Sequence, residues 1–283
     1  MSNSIHIRPA SAADKETVLA FCQNTFSWGD YIAEVWNDWL TFAGGQLLVA
    51  TFDEHPIAIV HIALLQNKIA WMEGMRVHPD YRRQGVASML DARAVEFARA
   101  RGCTAARLVT STKNIAAQSM LESSNYQRVA RFNEWQAEPQ PGDFSILRLA
   151  TSNDIEKILA YWNTSDIHNA SRNVVPTRHW RWTPIDEARL HQHLQANEVR
   201  VTQNGFALLP AFDESDWNGL SIHALAGDVE EMTALAIATR AEAAYRGYAH
   251  VEALLIDDAS INSALEHAGY KTEGGVFLYE QKL

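Results

Sequence analysis

A basic, glycine-bearing loop set between a strand and a helix constrains this chain most. Trp71-Met72-Glu73-Gly74-Met75-Arg76-Val77 reads as the strand and His78-Pro79-Asp80-Tyr81 as a turn. Arg82-Arg83-Gln84-Gly85-Val86-Ala87 then runs straight into a helix whose apolar stripe is Val86, Leu90, Ala94 and Phe97. That order turns free backbone N–H groups and the positive end of a helix dipole toward one point, which is an anion-binding arrangement. Gly102 ends the helix. An apolar strand follows from Cys103 to Thr110, then a short helix from Asn114, then a closing strand or hairpin from Tyr126 to Glu138.

The segment ahead of the loop supplies the rest of a sheet. Ile5 to Arg8 alternates as a short strand. Ser11 with Asp14 starts a helix that buries Val18, Leu19, Phe21 and Cys22. A second helix carries Val35, Trp36, Trp39 and Leu40. Gln46–Phe52, Pro56–Leu65 and Lys68–Val77 form an antiparallel meander, with turns at Asp53-Glu54-His55 and Gln66-Asn67.

This stretch resembles the GCN5-related N-acetyltransferases (GNAT). The family's pyrophosphate loop, Arg/Gln-x-x-Gly-x-Gly/Ala, is filled by Arg82, Gly85 and Ala87. Val77-His78-Pro79 matches its lead-in, and Asn114 with Ala117 matches its later Asn-x-x-Ala pattern. The resemblance covers residues 4–136. It implies an α/β fold, a mixed central sheet flanked by helices, and acetyl-CoA as co-substrate without a metal. On that reading Gln84, Gly85, Val86, Ala87 and Ser88 offer amides to the pyrophosphate, and Arg82 and Arg83 add charge. Met75, Arg76 and Val77 occupy the family's splayed fourth strand, where pantetheine amides pair. The Met75 amide stabilises the developing oxyanion.

The acceptor amine must lose a proton. Glu73, two residues before Met75 and on the same strand face, is the first candidate base. Trp28 and Tyr31 form a candidate acceptor wall, with Trp36 and Trp39 as core; Asp30 and Glu34 are candidates for holding a cationic acceptor, and His61 is read as structural, with a proton relay as its alternative. Gly29-Asp30-Tyr31 ahead of a tryptophan-rich helix is loosely similar to histidine N-acetyltransferases. One departure stands out. The family's thiolate-protonating tyrosine falls at Leu121, leaving Ser119, Tyr126 or water for the acid role.

The second half echoes the first. Ile7-Arg8-Pro9-Ala10-Ser11-Ala12-Ala13-Asp14 aligns with Leu147-Arg148-Leu149-Ala150-Thr151-Ser152-Asn153-Asp154, Arg101-Gly102 with Arg246-Gly247, and Ser124-Asn125-Tyr126 with Ala268-Gly269-Tyr270. A tandem pair follows: residues 1–138, a linker at 139–143, and a degenerate copy at 144–283. The copy lacks the loop, since Leu220–Ala226 as one central strand leads through Gly227-Asp228 directly into the helix from Val229 to Tyr245, with Glu230 and Glu231 at its start. Residues 163–184 gather His168, Arg172, Arg178, His179, Trp180, Arg181 and Trp182, a set suited to a carboxylate. His191 and His193 stand two apart on a helix, so they face apart and make no metal site with His179.

Composition bounds the partners. The net charge of −10 argues against nucleic acid. No apolar run reaches membrane-spanning length, and the start of the chain lacks a signal-peptide pattern. Cys22 and Cys103, both expected as buried thiols, fit a reducing compartment. The expectation is a cytoplasmic monomer or homodimer that acetylates a small-molecule primary amine. Its alternatives are a protein N-terminal acetyltransferase and a non-catalytic acyl-CoA sensor or assembly protein.

Overall fold

Arg8 and Asp14 tie the first strand to the first helix. The Arg8 guanidinium donates to both Asp14 oxygens, Nη2 to Oδ1 at 2.6 Å and Nη1 to Oδ2 at 2.8 Å, and the Ser11 amide donates to the same carboxylate at 2.7 Å. The element repeats 140 residues on. Arg148 donates to Asp154 at 2.6 and 2.9 Å, and the Thr151 amide donates at 2.7 Å. Charge-assisted bonds of this kind fix the angle at which a strand enters a helix.

The structure is a computed structural model that describes residues 4–26, 29–214 and 217–283. Contacts divide the chain into two compact units. Unit 1 holds residues 1–110, 114–128 and 279–283, and unit 2 holds residues 111–113 and 129–278. From sequence, the first domain ends at 138.

Unit 1 runs β1 (Ile5–Pro9), α1 (Lys15–Cys22), α2 (Ile32–Thr41), β2 (Gly45–Phe52), β3 (His55–Leu65), β4 (Ile69–Val77), α3 (Val86–Ala100), β5 (Ala105–Ser111) and α4 (Ile115–Ser123). Its sheet is ordered β1-β2-β3-β4-β5, antiparallel up to β4 and parallel between β4 and β5. Val18, Phe21, Cys22, Ile32, Trp36 and Trp39 of α1 and α2 pack with Leu47, Val49 and Ile59 of the sheet. The α3 stripe of Val86, Leu90, Ala94, Val95 and Ala98 is buried in turn, and α3 packs on β2, β3 and β4. Trp36 and Trp39 are core, as expected. Cys22 is buried, while Cys103 is only half-buried, because it stands just past the αL residue Gly102 at a helix end rather than inside a strand.

Unit 2 begins with the body of β6 (Gln127–Ala137), which pairs antiparallel with β15 (His250–Ile256) from Phe132↔Ile256 to Ala137↔Val251. Between them lie β7 (Arg148–Leu149), α5 (Ile155–Thr164), α6 (Asp166–Ala170), β8 (Val175–Pro176), β9 (Trp182–Thr183), α7 (Glu187–Gln195), β10 (Val199–Val201), β11 (Phe206–Leu208), β12 (Ala211–Glu214), β13 (Trp217–Ile222), β14 (Ala224–Ala226) and α8 (Val229–Arg246). α9 (Ala259–His267) and β16 (Lys271–Lys282) end the chain. The order β7-β10-β11-β14 is antiparallel throughout, and β13 pairs β15 in parallel.

The single strand expected over Leu220–Ala226 is two strands in two sheets. The partner strand explains the break. Pro210, between β11 and β12, has no N–H to continue a ladder. The register slips by one there, from Leu208↔Ala224 to Ala211↔Leu220. Among the described residues, no helix is long and apolar enough to cross a membrane.

Candidate active site

Counting outward from the Asn67 turn places His61 opposite Glu73 on the β3–β4 hairpin, and the pairing runs unbroken from Leu65↔Ile69 to that rung. It then slips to Ile59↔Arg76, so Gly74 and Met75 bulge opposite Val60. Gly74 has φ +67°, and a Cβ there would lie 2.4 Å from Trp39 Cζ3. Glycine is required both for the backbone angle and for the approach of Trp39.

The bulge coincides with a parting of strands. β4 pairs β5 only from Ile69↔Ala105 to Trp71↔Arg107. Past those rungs, Met72 to Val77 no longer run beside β5, which gives the C-terminal half of β4 an open edge. Such an edge can pair with extended amides.

The basic loop is fastened at the end of this edge. Arg82 Nε donates to Val77 O at 3.1 Å, and Gln84 Nε2 donates to Asp80 O at 2.8 Å. Gly85 is the N-cap of α3 at φ +79°, and a Cβ there would meet nothing within 4 Å. The first helical return is Met89 N to Gly85 O at 3.0 Å, so the amides of the turn before it point away from the helix. Arg82, Arg83, Gln84, Gly85 and Ser88 are exposed, Ala87 is half-buried, and Val86 alone is buried. A phosphate group fits this cradle. The start of α8 in unit 2 does not offer one: Asp228 accepts from the Glu231 amide at 2.8 Å, and Glu230 and Glu231 stand in its first turn.

Near the bulge the charges are paired. His61 Nδ1 donates to Glu73 Oε1 at 2.7 Å. His61 is fully buried and stacks on the Trp39 ring, centroids 4.6 Å apart and 5° from parallel, with Phe42 at 5.7 Å. Glu73 keeps 12 % of its side chain exposed. Sequence reasoning read His61 as structural and missed its bond to Glu73, although the hairpin count carries the signal.

Asp30, a candidate for holding a cationic acceptor, has a cationic partner within the chain. It takes Arg76 Nε at 2.6 Å and Arg76 Nη2 at 3.2 Å, and it also accepts from the Ile32 amide. The Arg76 side chain is thus drawn to Asp30, between the rings of Phe26 at 5.0 Å and Tyr31 at 5.2 Å, while its backbone stays on the β4 edge. Arg76 Nη1 also donates to Met75 O at 3.1 Å. Tyr31 packs edge-on against Trp39, and burial holds its hydroxyl above the ordinary phenol range. Trp28 lies outside the described residues. Burial, reinforced by the Asp30 charge, pushes the Cys22 thiol up to about 12.

The proton-donor candidates resolve differently. Tyr126 is buried, and its hydroxyl donates to the buried carboxylate of Asp91 on α3 at 3.1 Å. Burial and the adjacent Asp91 charge raise this phenol far above its ordinary value, so it is a poor proton donor and serves the core instead. Leu121 is buried as well. Asn114 is the N-cap of α4, and its Oδ1 accepts from Ala117 N at 3.2 Å. The Asn-x-x-Ala spacing therefore has a local cause in helix capping.

Residues 16–126 match the model of the acetyltransferase (GNAT) family. The chain has the GNAT fold. Solved structures extend the likeness in fold to the rest of the chain. A GCN5-related N-acetyltransferase from Sphaerobacter thermophilus superposes with TM-score 0.68 at 14 % identity, covering 98 % of this chain and 95 % of that one. One from Kribbella flavida gives TM-score 0.57 at 18 % identity, over 99 % of this chain and 71 % of that one. The GCN5-related glucosamine N-acetyltransferase region of a fungal multi-domain GH3 β-N-acetylglucosaminidase gives 0.65 at 14 % identity, over 99 % of this chain and 38 % of that one. No curated protein matches in sequence.

Proposed function

We propose that unit 1 transfers the acetyl group of acetyl-CoA to a primary amine of a small molecule, such as an amino acid or another amine. The observation that carries this is the bulged, parted edge of β4, ending at a glycine-capped helix start to which Arg82 fastens it. Acetyl-CoA supplies the acetyl group as an activated thioester. The amides of residues 84–88 and the Arg82 and Arg83 charges hold its pyrophosphate. The edge at Met75, Arg76 and Val77 orients the pantetheine arm, and the Met75 amide is the donor for the developing negative charge.

Glu73 takes a proton from the bound acceptor ammonium, and the neutral amine that results attacks the thioester carbonyl and displaces the thiolate. His61 donates to its carboxylate and, clamped by Trp39, fixes its rotamer. Phe26 and Tyr31 give the acceptor side aromatic walls. With a buried leucine at 121, the departing thiolate takes its proton from water. A thiol with a pKa near about 8.5 leaves without strong acid assistance.

The second half is read as a degenerate copy of the first. Its support is the repeated Arg–Asp clamp and the same succession of four antiparallel strands before a parallel pair. Its capped, acidic α8 start takes no pyrophosphate.

The test is thiol release from acetyl-CoA against histidine and other amino acids, polyamines, aminoglycosides, amino sugars and short peptides, with Gly85→Glu as the blank. A hit that vanishes in the blank identifies the acceptor class. Peptide-only turnover transfers the reading to protein N-termini. Acetyl-CoA binding without turnover on any amine replaces it with an acyl-CoA sensor.

A further inference from the structure

We propose that unit 2 binds a small anion, carrying a carboxylate or a phosphate group, in a cavity of about 360 Å³ at the C-terminal end of α8. Its wall includes Arg178, Arg246, Asn197, Glu198, Leu149 and Leu209. All of these residues belong to unit 2, and none belongs to the acetyl-transfer site described above.

The charges at this cavity do not balance. Glu198 is fully engaged, with Arg178 Nη2 on Oε1 and His193 Nδ1 on Oε2, both at 2.7 Å. Glu242 is matched by Arg200, whose Nη2 and Nε reach its two oxygens at 2.5 and 3.0 Å. Arg246 then leans on the same Glu242 oxygen at 2.5 Å. One carboxylate thus serves two guanidinium groups, and one positive charge is left over at the cavity. Arg246 keeps 40 % of its side chain exposed and Arg178 keeps 46 %, so each retains N–H groups to offer. The Asn197 side-chain amide has no hydrogen-bond partner among the described residues, and its backbone is left-handed at φ 57°.

Comparison with unit 1 shows that packing does not call for these groups. In unit 1, β1 meets β2 at Arg8↔Val49 and Pro9↔Leu48. In unit 2, β7 meets β10 at Arg148↔Val201 and Leu149↔Arg200. Buried Arg200 therefore occupies the position of buried Leu48. Likewise Glu242 stands four residues before Arg246-Gly247, where unit 1 has Phe97 four before Arg101-Gly102. Arg101 simply lies over the Phe97 ring at 4.6 Å. Unit 2 has a buried ion pair where unit 1 has a leucine and a phenyl ring. Such a pair adds little net stability over apolar packing. What it does do is fix Arg246 at the cavity wall. Paired guanidinium forks match planar carboxylates and phosphate oxygens. The volume lies at the small end for ligand sites, which suits a metabolite of a few carbons rather than a nucleotide cofactor.

The test is calorimetric titration of the full chain with succinate and, separately, inorganic phosphate at constant ionic strength. The Gly85→Glu chain is used so that the loop of unit 1 contributes nothing. The expected result is saturable binding of at least one probe, weakened about tenfold or more by Arg246→Gln. Ala196→Glu, an exposed change that puts a negative charge on the cavity wall, weakens it likewise. Arg101→Gln, the matching change in unit 1, leaves it intact. Succinate binding alone marks a carboxylate ligand, and phosphate binding alone a phosphorylated one. No saturable binding of either probe up to about 10 mM, or equal affinity in Arg246→Gln and Ala196→Glu, overturns the site.

Discussion

Two carboxylates in unit 1 do opposite things because of what faces them. Glu73 receives His61 and keeps 12 % of its side chain exposed, and the proposed function gives it the role of base. Replacing it with Gln is expected to lower turnover by about 10²–10⁴-fold, the usual contribution of a positioned base, while acetyl-CoA affinity measured by calorimetry stays unchanged. Equal loss of both quantities removes the base assignment. Asp91 is buried, and the Tyr126 hydroxyl donates to it. Burial pushes its carboxyl up to about 6, against the smaller opposing pull of that hydroxyl. A carboxyl whose folded value lies above its unfolded one makes no difference below about pH 4, and it destabilises increasingly as pH rises toward 6. Asp91→Asn is therefore expected to raise the stability at pH 8 by up to about 3 kcal/mol and to change little at pH 4. Thermal melts at the two pH values decide it, since equal shifts would mean that charge is not the cause. The His61–Glu73 pair was readable in the sequence, because a tight hairpin fixes its rungs by counting from the turn. The Asp30–Arg76 pair was not, because 46 residues separate the partners and only the packing of α2 brings them together.

The decisive element is the β4 bulge, where one glycine lets the strand turn against Trp39. Gly74→Ala would force a non-glycine residue to φ +67° and drive its methyl into Trp39. The backbone penalty is about 1–2 kcal/mol, and the overpacking adds about 1–3 kcal/mol. The expected outcome is a lower melting temperature together with lost activity, whereas Gly85→Ala, which carries the same backbone penalty at φ +79° but has open space around its Cβ, loses less stability and weakens acetyl-CoA binding. A Gly74→Ala enzyme with wild-type turnover would show that the bulge does not shape the site. Elements whose cause is local were legible: the α3 stripe, the short helix from Asn114, the turn at Gln66-Asn67. The split of Leu220–Ala226 into β13 and β14 was not, because its cause, Pro210, sits on the neighbouring strand. The same holds for Gly74, whose need for glycine comes from a tryptophan 35 residues earlier in the chain.

At the scale of the whole chain, sequence order and compact units do not coincide. Unit 1 includes the last five residues, and unit 2 includes residues 129–137. Linker composition at 139–143 marks a boundary in the sequence, but strand pairing follows hydrogen bonds and burial. In unit 1, Arg107 pairs with Glu280 at 2.7 Å, the Leu283 amide donates to Thr104 O at 2.9 Å, and buried Tyr279 accepts from Arg128 at 3.2 Å. Removing residues 279–283 takes away a large buried ring and leaves Arg107, largely buried, without its carboxylate. Losing such a ring costs about 3–5 kcal/mol, a large share of a typical domain's stability of about 5–15 kcal/mol. The shortened chain is expected to lose acetyl-CoA binding and to melt well below the full chain. Residues 1–138 expressed alone lack the same segment, so they are expected to show no sharp unfolding transition. Co-expression of 1–138 with 139–283 returns every strand to each unit and restores both the transition and acetyl-CoA binding. Differential scanning calorimetry distinguishes the alternatives. If 1–138 alone melts cooperatively near the temperature of the full chain, the terminal segment is dispensable, and unit 1 folds from the first half of the sequence without it.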